Sequence, residues 1–129
     1  MVQAEVQSRV ALVRLMVAEE LFDNLPGELG MRTALSLAYY GLFHSAYAVL
    51  LSGNEIAVGE RVKHGVVLKL VRRRLGSAVG QTYEDALSAR READYESTAK
   101  FSPTSVLRQL KIIRTHVYWF CMEAEKVLK

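Results

Sequence analysis

The chain has 129 residues, half of them hydrophobic and 24% charged, a mix that builds one core over 1–129 and excludes disorder and low complexity. Its single cysteine, Cys121, excludes a disulfide framework and every multi-cysteine zinc site, and two prolines with eight glycines are too few turn signals for an all-β sandwich. The net charge of +3 falls in blocks: −3 over residues 1–59, +5 over 60–76, −3 over 81–99 and +4 over 100–129. That polarised surface favours an anionic partner at one end, or is a set of solvated helix faces.

The N-terminus, Met1 to Glu5, shows no basic region ahead of an apolar run, so no signal peptide is read and a cytoplasmic location is expected. From Ala4 to Phe22 the spacing of Val6, Val10, Val13, Val17 and Leu21 predicts an amphipathic helix, with Arg9, Arg14, Glu19 and Glu20 outside. Asp23-Asn24-Leu25-Pro26-Gly27 stops it. Thr33 to Leu51 holds no Asp, Glu, Lys or Arg. It is long enough to span a bilayer, yet its Tyr, Ser, His and Gly residues read better as a buried central helix, so no membrane partner is expected. Ser52-Gly53-Asn54 predicts a left-handed C-cap.

After a loop over Glu55 to Glu60, a third helix carries Val62, Val66, Leu70 and Leu75, with Val67 and Val71 beside them, and ends at Gly76. Thr82-Tyr83-Glu84-Asp85 reads as a capping box that opens a fourth helix to about Tyr95. Ser102-Pro103 places a cap residue before a first-turn proline. A fifth helix then carries Val106, Leu110, Ile113, Val117, Phe120, Ala124 and Val127. The expected fold is an all-α, up-and-down bundle of four or five helices.

Phosphate-binding glycine loops are absent. His44, His64 and His116 share no i, i+3 or i+4 spacing, so no metal site and no cofactor is expected. Cys121 reads as a small buried hydrophobe. Tyr40, His44 and Tyr47 share one helix face, as a polar pocket lining or as core residues with satisfied groups. Arg91 and Asp94 form either a helix-surface pair or, with Tyr95, a site for a phosphate or a base. Lys69, Arg72, Arg73 and Arg74 put four positive charges within six residues. They are a basic surface for phosphates, or a complement to the helix C-terminus.

Three segments in order carry a resemblance: Ala38-Tyr39-Tyr40-Gly41-Leu42-Phe43-His44-Ser45-Ala46, Val62-Lys63-His64-Gly65-Val66-Val67, and Arg91-Glu92-Ala93-Asp94-Tyr95. The stretch from Thr33 to Tyr95 resembles the small prokaryotic branch of the HEPN domains (higher eukaryotes and prokaryotes nucleotide-binding). The resemblance implies a helical bundle that often dimerises, and frequent partnership with a minimal nucleotidyltransferase, as in toxin–antitoxin pairs. Ribonuclease members of the family carry an arginine, four to six residues, then a histidine and a nearby tyrosine. Here Asp94 stands where that histidine is expected, so the nuclease motif is incomplete: a carboxylate at its usual pKa is a poor general acid near neutrality.

The expected function is therefore a HEPN-like nucleotide- or RNA-binding or partner protein without a complete nuclease motif, with Lys63, His64, Arg91, Asp94 and Tyr95 as binding residues supported by Tyr40 and His44. The alternatives are a metal-independent ribonuclease using His64 or His44 with Arg91 on the phosphate, and a purely structural helical adaptor. A homodimer is expected, with the second and fifth helices offering apolar surface to the other copy.

Overall fold

The computed structural model describes residues 2–57 and 62–128. It is an all-α bundle of α1 (Val2–Asn24), α2 (Gly27–Ser52), α3 (His64–Leu75), α4 (Ser77–Tyr95) and α5 (Pro103–Leu128), with no strand among the described residues. The last part of the predicted 55–60 loop lies outside them, as does the side chain of Val127.

α2 occupies the centre because its uncharged middle tolerates burial on every side; it packs against all four other helices. By length and composition it is apolar enough to cross a membrane, but 67% of its most apolar window is buried inside the bundle. Its buried hydroxyls cost little, because Ser45 Oγ donates to the Leu42 carbonyl at 2.9 Å and Ser52 Oγ to that of Val49 at 2.8 Å. The helix starts at Gly27, earlier than the expected Thr33, directly after Pro26 in an extended conformation. At the other end Gly53 is not left-handed; Asn54 takes that role at φ 63°.

α1 contradicts the predicted stripe. Ala4, Ala11, Leu15 and Ala18 are buried, whereas Val6, Val13 and Val17 are exposed. The reason is the closeness of α1 to α2. A Cβ placed on Gly41 would stand 3.1 Å from the Ala11 carbonyl oxygen and 3.4 Å from the Leu15 amide nitrogen. At such a crossing small residues fit and valines do not, so the alanine side wins the core.

α4 opens at Ser77 and not at Thr82, so there is no capping box there: Thr82 Oγ1 donates to the Ala78 carbonyl inside the helix. Gly76 makes the early start possible. At φ 99° it turns the chain in one residue, a conformation that side chains disfavour. α3 starts at His64, two residues after the predicted Val62, and buries Val67 and Val71 while Val66 is exposed. α5 follows its predicted stripe from Val106 to Ala124, all buried, and Ser102 Oγ caps it by accepting the Ser105 amide at 3.1 Å.

Candidate functional site at the junction of α2, α3 and α4

Where α2, α3 and α4 meet, aromatic and charged side chains gather instead of aliphatic ones. Tyr39 and Tyr83 are fully buried. The Tyr39 hydroxyl lies 3.1 Å from that of Tyr83 and 2.6 Å from His64 Nδ1. Proton bookkeeping orders this chain. The Tyr83 hydroxyl has no other partner among the described residues, so it donates to Tyr39, and Tyr39 donates to Nδ1. His64 is thereby held with its proton on Nε2. Burial, then the charges of Arg90 and Arg91, push His64 below the usual histidine range, so the ring is neutral at pH 7. Burial also pushes Tyr39 up to about 12 and Tyr83 higher still, so both remain phenols.

Around His64 stand Phe43, Tyr39 and Tyr40, with ring centroids at 4.7, 5.4 and 6.0 Å. Tyr40 is tied to α4 by Arg90, whose Nη2 donates to the Tyr40 hydroxyl at 2.7 Å. The Arg90 guanidinium also lies 5.1 Å from the Tyr40 ring centroid and 5.5 Å from that of Tyr95. Its Nε sits 2.9 Å from Asp94 Oδ2, an ion pair one helical turn apart, and the same carboxylate oxygen accepts Ser36 Oγ at 3.2 Å.

Of the expected residues, His64, Tyr40, Asp94 and Tyr95 come together, and the hub that joins them is Arg90. Sequence reasoning missed Arg90, Tyr39 and Tyr83. The signal was present in the i, i+4 spacing of Arg90 and Asp94, which is the pair that forms; the reading of Arg91 with Asp94 as a pair is not realised. Arg91 is exposed and its charge reaches both His64 and Tyr39. Lys63 is exposed at the N-cap of α3.

His44 stands apart from the hub. Its Nδ1 donates to Gln7 Oε1 of α1 at 2.6 Å, and its link to His64 is through Phe43, 5.3 Å from its ring. Burial and the Arg14 charge push it down as well. The basic cluster on α3 divides: Arg72 pairs with Glu84 and Arg74 with Glu55, while Lys69 and Arg73 are exposed with no ionic partner among the described residues. Burial pushes the Cys121 thiol up, and Sγ lies 3.8 Å from the Ser8 carbonyl, the environment of an unreactive thiol.

The α4 end of the site is held by Arg32 of α2. Its guanidinium donates to the carbonyls of Ala93 at 3.0 Å, Glu96 at 2.9 Å and Ala99 at 2.6 Å, closing the helix terminus that carries Asp94 and Tyr95. A cleft of about 660 Å³ opens beside it, lined by Asp94, Tyr95, Thr98 and Lys100. Among the described residues no three His, Cys, Asp or Glu side chains gather to hold a metal ion. No family model matches the chain, and no curated protein matches it.

Proposed function

We propose that the chain is a nucleotide- or RNA-binding protein whose site is the α2–α3–α4 junction, and that it binds without cleaving. The observation that carries this reading is the Tyr83–Tyr39–His64 chain. It fixes a neutral imidazole as a hydrogen-bond donor through Nε2, beside aromatic rings and exposed cations. Tyr95, 72% exposed, offers a face on which a base stacks. Arg91 and Lys63, with Lys69 and Arg73 further along α3, are the cations available for phosphates; Arg90 is already committed to Asp94 and Tyr40 and acts as the scaffold.

The same hydrogen bonds argue against His64 as the base in the ribonuclease alternative. A general base needs a free lone pair, and the one on His64 Nδ1 is occupied by the hydrogen bond from the Tyr39 hydroxyl while Nε2 carries the ring proton. The resemblance to HEPN domains supports a binding role and adds a minimal nucleotidyltransferase as the protein partner.

The test is fluorescence anisotropy with a labelled single-stranded RNA and with a labelled adenine nucleotide, at two salt concentrations. Tyr95→Ala is expected to weaken binding by about 1–3 kcal/mol. Arg91→Glu is expected to weaken it and to flatten its salt dependence, with the thermal melt of both variants unchanged. RNA cleavage lost in His64→Ala would establish the nuclease instead, and absence of binding in the wild type would leave a structural adaptor.

A further inference from the structure

The cleft between the C-terminal end of α4 and the first turns of α2 has a polar lining that divides into groups already engaged and groups still open. Arg32 is engaged: it holds Glu28 at 3.2 Å and closes the carbonyls of Ala93, Glu96 and Ala99. Asp94 is half engaged. Arg90 Nε and Ser36 Oγ both meet its Oδ2, and Oδ1 has no partner among the described residues. The Glu96 carboxylate and the Lys100 ammonium line the same cleft, exposed and without an ionic partner among the described residues. We propose that this cleft reads the base of the bound nucleotide and selects guanine. The inference rests on the nucleotide-binding reading and specifies its ligand.

α4 presents the site as two neighbouring columns. Arg91 and Tyr95 stand at i and i+4, and so do Arg90 and Asp94 beside them. In the first column a base stacks on the exposed Tyr95 ring and carries its phosphate back toward the exposed Arg91, about 6 Å along the helix. In the second, Arg90 and Ser36 fix the Asp94 carboxylate and leave Oδ1 to meet the edge of that base. The cleft, about 660 Å³, has the size of a small-molecule site.

Hydrogen-bond matching identifies the base. A carboxylate only accepts and an ammonium only donates, so the open groups call for two neighbouring N–H donors followed by a carbonyl. The Watson–Crick edge of guanine presents these as N2–H, N1–H and O6. Adenine would turn its N1 lone pair toward a carboxylate and its amino group toward Lys100. Uracil has one N–H between two carbonyls, and cytosine one amino group beside two acceptors. Each of the three sets a carboxylate or the ammonium against a group of its own kind, which costs affinity. The open carboxylates also oppose a phosphate here, and the cations for it, Arg91 and Lys63, lie outside the cleft lining.

Titration calorimetry of the full chain with GMP, IMP and AMP tests the selection. GMP should bind at least tenfold tighter than AMP, with IMP, which lacks the 2-amino group, between them. Asp94→Asn keeps an oxygen for Arg90 and Ser36 and puts an amino group where Oδ1 stood. GMP should then weaken at least tenfold while AMP holds or gains. Lys100→Met removes the O6 contact, so it should weaken GMP and IMP alike and leave AMP and the thermal melt unchanged. Equal GMP and AMP affinities, both lost in Tyr95→Ala, would overturn guanine selection and leave the nucleotide-binding reading standing. Binding of neither nucleotide would overturn both. An Asp94→Asn variant that weakens GMP and AMP equally would make Asp94 a purely structural residue and overturn the proposal as well.

Discussion

The α2–α3–α4 junction and the outer side of α1 are opposites. At the junction, two tyrosine hydroxyls lie inside the protein and polar groups run from them to the surface, joined to one another: buried Tyr83 to buried Tyr39, Tyr39 to half-buried His64, and half-buried Arg90 to Tyr40 and exposed Asp94. On α1, Val6, Val13 and Val17 lie exposed at helical spacing. Polarity therefore does not sort these two regions into surface and core. Partner supply decides the junction, since a buried hydroxyl is tolerated where another polar group meets it. Backbone approach decides α1, since the crossing at Gly41 admits alanines and turns the valines away.

The comparison is broken most strongly on α1 itself. Ala11→Leu forces a larger side chain into the Gly41 crossing and is expected to cost about 1–3 kcal/mol. Val13→Ala on the opposite side should change the stability of the dilute protein by no more than about 0.5 kcal/mol. Chemical denaturation of the pair measures the contrast; equal effects would mean that the two sides of α1 are not distinguished by packing.

At the junction, Tyr39→Phe removes the middle of the hydrogen-bond chain and leaves the fully buried Tyr83 hydroxyl without its acceptor. The expected loss is about 1–3 kcal/mol. Adding Tyr83→Phe removes the stranded group too, so the double variant should be more stable than Tyr39→Phe alone. A double-mutant cycle measured by denaturant melts reads this directly, and simple additivity would show that the hydroxyls are not coupled.

The smallest effect is expected from pH. His64 and His44 are both pushed below their usual range in the folded chain, burial being the main cause. The unfolded chain, with histidines near about 6.5, then binds more protons than the folded one below that pH. Stability from these groups is present above about pH 6.5 and lost as the pH falls toward the folded values. Thermal melts from pH 7.5 to 5 should decline, and His64→Gln with His44→Gln should flatten that part of the slope. A decline of the same steepness in the double variant would assign it to the carboxylates.

Much of the fold was legible before any coordinates. The uncharged run in α2, the stop around Pro26-Gly27, the Ser102-Pro103 start and the α5 stripe are local signals, and local physics decides them: helix periodicity, caps, and the backbone limits of proline and glycine. The candidate site was legible in its residue types, because Tyr40, His64, Asp94 and Tyr95 stand out within apolar helices. Its connectivity was not. Whether Asp94 pairs with Arg90 or Arg91 depends on which way α4 faces α2, and that is set by packing. The tautomer of His64 depends on Tyr83, which lies on another helix.

What the sequence determined by itself is the number, type and approximate extent of the helices, since these follow from interactions within a few residues of chain. What only the tertiary structure decided is which side of each helix is inside. α1 offers an alanine side and a valine side, and periodicity ranks the valines first because they are the more apolar. The bundle chooses the alanine side because two backbones that approach as closely as those at Ala11 and Gly41 leave no volume for a β-branched side chain at the crossing point. That steric selection is a property of the pair of helices, and neither helix carries it alone.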